Sequence, residues 1–119
     1  MRSLTFFTLF ICLGILFSHC SKDKNNNGSN YSVDCSTVSN KAFAADVNPL
    51  IQSRCAITGC HGTGSPNGPG ALTSYAQISG AAARIRNAVA SGSMPQGSSL
   101  TTAEKNSIIC WIDSGTPNN

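Results

Sequence analysis

Apolar side chains along this chain recur in four places, each with its own rhythm. The first is a continuous run from Leu4 to Phe17, interrupted only by Thr and Gly and preceded by Arg2. In the second, Phe43, Val47, Leu50 and Ile51 are spaced by four, three and one, with Arg54 closing the stripe, which is one face of a helix. Pro49 interrupts that stripe and leaves two forms open. Either Asn48 caps a short helix from Pro49, or a kinked helix runs from Lys41 to Arg54. In the third, Ile78, Ala82, Ile85 and Val89 recur at four, three and four, while Arg84, Arg86 and Asn87 face elsewhere. Gly80 divides this region into a short turn from Thr73 and a main helix from Ala81, which Ser91-Gly92-Ser93 ends. The last stripe, Ile108, Ile109, Trp111 and Ile112, follows Thr101-Thr102-Ala103-Glu104 and stops at Gly115 and Pro117. Thr101 and Glu104 have the spacing at which each side chain satisfies the other's backbone N–H. No segment alternates with the two-residue period of a strand. The pattern predicts an all-α fold of three to four helices joined by long loops.

The N-terminal run is short for a membrane span and carries a positive flank, so it reads as an export signal. It ends in Ser18-His19-Cys20-Ser21, where a cysteine directly after the apolar core resembles the acylation site of bacterial lipoproteins. His19 departs from that pattern, which usually has a small residue there. The resemblance implies that Cys20 is lipidated and becomes the first mature residue, so the chain is membrane-anchored. Ser21 to Ser32 is rich in Asn, Ser and Lys without hydrophobic period and reads as a tether. The predicted organisation is a lipoprotein-type signal over 1–19, a tether over 20–34 and one domain over 35–119. A domain of that size buries a modest core and usually needs a disulfide, a metal or a cofactor. Eight Lys/Arg against five Asp/Glu, scattered rather than clustered, form no basic stripe for nucleic acid.

That need directs attention to Cys55-Ala56-Ile57-Thr58-Gly59-Cys60-His61. Two cysteines followed at once by a histidine is the attachment pattern of a covalent c-type haem, here with four residues between the cysteines instead of two. The sulfurs of Cys55 and Cys60 would form thioethers to the porphyrin, and His61 would lie beneath the iron. Three other readings compete: a small Cys55–Cys60 disulfide loop, a four-thiolate zinc site with Cys35 and Cys110, and a Cys–His nucleophilic pair. The glycines of Gly62 to Gly70 are not a phosphate cradle, because no strand precedes them and no Lys-Ser/Thr follows. Beyond the signal, His61 is the only histidine and Met94 the only methionine. Met94 stands in a Gly- and Pro-bounded loop on no helical stripe, which suits the second axial ligand of the iron. If Cys55 and Cys60 carry haem, Cys35 and Cys110 remain as a pair.

A helix leading into Cys…Cys-His, a Gly-Pro loop, an isolated Met94-Pro95 and a C-terminal helix with Trp111-Ile112 resemble a class I cytochrome c domain over Phe43 to Gly115. Cys110 to Gly115 is similar to the end of small bacterial cytochrome c lipoproteins. The resemblance implies one covalent haem c with His61 and Met94 as axial ligands. It also implies that the first and last helices cross, with Phe43 or Val47 near Ile108, Trp111 or Ile112. Crossing termini would bring Cys35 and Cys110 together as a disulfide. A proline carbonyl after the haem motif would orient the histidine; Pro69 matches best, at a spacing one residue longer than usual, and Pro66 is the alternative. Ile78, Ile85, Val89, Ile108 and Trp111 are the apolar candidates for the haem wall. The expected function is electron transfer with a redox partner protein, not enzymatic catalysis, in an exported periplasmic or cell-envelope lipoprotein. The alternatives are a haem-free, disulfide-stapled surface binding module and a peroxidase-like haem domain.

Overall fold

A computed structural model describes residues 31–119. The predicted export signal, Cys20 and most of the predicted tether lie outside the described residues, which contain only helices and irregular segments. Among them no helix is long and apolar enough to cross a membrane.

The first helix begins with a wide π-helical turn, Phe43–Val47, and continues without a break into α1, Asn48–Arg54. The Val47 N–H reaches back five residues to the Ala42 carbonyl at 3.1 Å, and the Asn48 N–H to that of Phe43. Pro49 has no N–H, and in a regular helix its ring would crowd the carbonyl four residues earlier. The widened turn lies directly before it, as is common where a helix absorbs a local irregularity. The continuous form of the prediction therefore describes the chain, with Phe43 rather than Lys41 as first residue. Asn48 does not cap; its side-chain oxygen accepts from Gln52 Nε2 at 3.1 Å. The starting N–H groups are satisfied from elsewhere. Asp46 accepts from Ala42 at 2.9 Å, and Asn119 accepts from Phe43 at 2.9 Å and from Ala44 at 2.8 Å.

The second helical region divides as its glycine suggests, into α2, Tyr75–Gly80, and α3, Ala82–Ser91. Ser74 and Gln77 form a reciprocal cap at the start of α2. Gly92 ends α3 at φ 75°, a left-handed conformation that favours glycine. The last helix, α4, spans Thr102–Asp113, and its cap is the expected one: Thr101 N–H to Glu104 Oε2 at 2.8 Å, Glu104 N–H to Thr101 Oγ1 at 3.2 Å.

The core forms where these helices meet. Trp111 is fully buried, with its ring centroid 5.3 Å from that of Phe43, and Phe43 makes an edge contact with Tyr75 at 5.0 Å. The first and last helices thus cross through Phe43 and Trp111, while α3 packs along α4. The Trp111 indole N–H donates to the Pro117 carbonyl at 2.9 Å and the Tyr75 hydroxyl to that of Thr116 at 2.8 Å, which folds the C-terminal segment back over the core. Cys35 and Cys110 are joined by a disulfide that bridges 75 positions, with Cα atoms 5.3 Å apart. Nearby, the Tyr31 hydroxyl donates to Asn106 Oδ1 at 2.6 Å and the Lys105 ammonium lies 4.9 Å from the Tyr31 ring centre, so the segment before Cys35 is held against α4.

Candidate functional site

The site is built on the loop that leaves α1. The N–H groups of Cys55 and Ala56 both donate to the Ile51 carbonyl, at 2.9 and 2.8 Å, which ends the helix in a tight turn. The Ile57 carbonyl then accepts from Cys60 at 3.0 Å and from Gly62 at 3.1 Å, and the His61 N–H returns to the Cys55 carbonyl at 2.9 Å. The extra residues between the cysteines therefore close on themselves instead of carrying the histidine away. Gly59 takes φ 83° at the turn. Gly62 is favoured by proximity, since a Cβ there would stand 3.1 Å from the Ile57 carbonyl oxygen. From the Gly-Pro loop, the Asn67 amide donates to the carbonyls of Gly59 at 3.1 Å and Cys60 at 3.0 Å, and the Ser65 hydroxyl donates to that of Cys60. Asn67 and Ser65 went unremarked in the sequence because their partners are backbone atoms, which no side-chain pattern announces.

His61 is buried and clamped from two directions. Its Nδ1 lies 3.0 Å from the Gly70 carbonyl oxygen, which can only accept, so Nδ1 carries the proton. A neutral ring then keeps its lone pair on Nε2, the state a metal requires. On the backbone, the Leu72 N–H donates to the His61 carbonyl at 2.8 Å, and Gln52 Nε2 donates to the Leu72 carbonyl at 3.1 Å. The orienting carbonyl thus belongs to Gly70, not to Pro69 or Pro66. Leu72 is buried in the core, so its backbone bond ties His61 to that core, and Gly70 adopts φ 106° beside it.

Met94 arrives from the other side, on the loop after α3, with its N–H bonded to the Ala88 carbonyl at 3.2 Å. It shares with Cys55, Cys60 and His61 the lining of a cleft of about 480 Å³. Cys55, His61 and Met94 also line an adjoining cavity of about 240 Å³ walled by Ile51, Leu72, Ile85 and Val89. Of the five wall candidates, Ile85 and Val89 face this cavity, whereas Ile78, Ile108 and Trp111 are fully buried in the helical core instead. Apolar periodicity marks the buried face of a helix without saying which neighbour covers each turn. Ile51 and Leu72 take their place in the wall.

Cys55 and Cys60 are free thiols, each partly buried. Burial first, and the neighbouring Cys60 second, push the Cys55 thiol above its ordinary value, the opposite of what activates a nucleophilic cysteine. The Cys35–Cys110 disulfide removes two ligands from any four-thiolate zinc site, and among the described residues no group of three or more His, Cys, Asp or Glu is arranged to hold a metal ion. Two arginines touch the two cavities. Arg54 is paired with Glu104 at 3.0 Å, and Arg84 stands at the apolar cavity with no carboxylate partner among the described residues. Among the described residues no carboxylate lines either space. No protein-family model matches the chain, and neither a curated protein nor a solved structure is significantly similar to it.

Proposed function

We propose that this domain carries one covalently attached c-type haem and serves as a one-electron carrier. The observation that supports this reading most is the meeting of Cys55, Cys60, His61 and Met94, residues from two separate loops, on one cleft. The residues suit the group in three respects. Two free thiols and an imidazole with its lone pair on Nε2 match thioether attachment and axial ligation. The walls beside them include the apolar side chains of Ile51, Leu72, Ile85 and Val89. Arg84, which has no carboxylate partner among the described residues, suits the carboxylates at a haem edge.

The haem supplies the Fe(III)/Fe(II) couple. The chain supplies the rest: Cys55 and Cys60 hold, Gly70 and Leu72 keep the imidazole of His61 in one orientation, and the Met94 thioether favours the ferrous state and raises the potential relative to a second histidine. Were His61 and Met94 both to hold the iron, electron transfer would be favoured over peroxide chemistry. The proposal extends to the anchor: an exported lipoprotein, acylated at Cys20, exchanging electrons with a redox partner protein outside the cytoplasm.

Expression with haem-maturation machinery, followed by a peroxidase stain on a denaturing gel, tests attachment. A stained band is expected; a colourless band would leave a haem-free, disulfide-stapled binding module as the better reading. Met94→Ala should abolish the low-spin His/Met spectrum while leaving the stained band intact, and an unchanged spectrum refutes the axial assignment.

A further inference from the structure

Residues 55–83 and 87–103 contain no Asp, Glu, Lys or Arg, although the whole chain has a net charge of +3. These two stretches supply nearly all of the surface around the thiols. The 480 Å³ cleft adjoins a second, shallower one of about 430 Å³, and the two share Gly59, Cys60 and Asn67. The one charged side chain among the described residues that lines them is Arg54, which is paired with Glu104 at 3.0 Å. Arg84 lines only the apolar cavity. At the tip of the loop between the cysteines, Ile57 is 45 % exposed, the one large apolar side chain among the described residues that faces solvent to that extent. Its carbonyl accepts from Cys60 and Gly62, and its chain neighbours Ala56 and Thr58 line the shallower cleft.

We infer that this charge-free face, centred on Ile57, Thr58 and Gly59, is where electrons enter and leave. It follows that the partner is a one-electron redox protein whose own contact surface is uncharged. Like-charge repulsion and long-range attraction both need charges that this face lacks, so docking rests on apolar contact and shape and proceeds at the unsteered rate. One electron passes between the iron of this domain and the partner's acceptor, with no proton or bond exchanged. The inference rests on the haem reading proposed above.

The test is the rate at which the reduced, haem-loaded full chain gives an electron to ferricyanide, an anion, and to tris(phenanthroline)cobalt(III), a cation. Both rates should change less than about twofold between about 0.1 M and 1 M salt, because at about 0.1 M charges more than roughly 10 Å from the point of approach are already largely screened. Ile57→Lys should raise the ferricyanide rate roughly fivefold at low salt and lower the cobalt rate by a similar factor. Thr58→Glu should do the reverse. Ser39→Lys adds the same net charge at an exposed position that lines neither cleft and should leave both rates as they were. Equal responses to Ile57→Lys and Ser39→Lys, or a wild-type salt dependence that follows the net charge, would overturn the assignment of this face. Absence of a covalent haem band fails the haem reading itself, and that result is separate.

Discussion

Removing the Cys35–Cys110 bridge offers the sharpest test of how this small domain is stabilised. The bridge closes a loop of 75 positions, for which the loss of chain entropy in the unfolded state corresponds to about 4.5 kcal/mol. Small domains have total stabilities of about 5–15 kcal/mol, so the bridge represents a large share. The perturbation is the double variant Cys35→Ala/Cys110→Ala, which leaves no lone thiol. Cys110 is fully buried, so deletion of its sulfur adds a packing loss of about 1 kcal/mol, for an expected total of about 5 kcal/mol. The assay is urea unfolding followed by circular dichroism on protein of equal haem content. The midpoint should fall steeply and the slope should rise, because an unbridged unfolded chain exposes more surface. A helical spectrum equal to wild type in the absence of urea would show that the folded state itself is unchanged. A loss below about 1.5 kcal/mol with an unaltered slope would refute the entropic account. The same bridge predicts that alkylation without prior reduction leaves Cys35 and Cys110 unlabelled.

Three further outcomes follow from individual contacts. The backbone N–H of Thr101 and then the Arg54 guanidinium hold the Glu104 carboxyl below its ordinary range, so its contribution is complete at neutral pH and is lost as pH falls through that lowered value. Stability of Glu104→Gln, measured by thermal unfolding across the acid range, should therefore lie below wild type at pH 7 and converge with it at low pH; parallel curves would contradict this. Gly62→Ala must push against backbone atoms of Ile57 and should cost about 1–3 kcal/mol in urea unfolding, whereas Gly64→Ala, with no atom near its added Cβ, is penalised only for its φ of 73°. Arg84→Gln removes a cation beside the apolar cavity and should lower the midpoint potential of the haem-loaded protein, while Arg84→Lys retains most of it; equal potentials in all three would remove Arg84 from the site.

Much of this molecule is legible one residue at a time. Helix stripes, the division at Gly80, the Thr101–Glu104 cap and the stop at Gly92 are all local events, and local chemistry along the chain suffices to read them. The scarcity of histidine and methionine beyond the signal likewise needs no fold. What only tertiary structure decided were matters of which atom meets which across long separations. The wide turn before Pro49, the Gly70 carbonyl in place of Pro69, and the bracing of Cys60 by Asn67 are backbone contacts, and backbone atoms are the same at every position. The division of apolar residues between core and cavity was equally beyond the pattern, since Ile85 and Ile108 carry the same hydrophobic signal. Periodicity states that a face is buried. Only the packing of α3 and α4 states against what, because burial in the core and burial beside a cavity remove the same apolar surface from water.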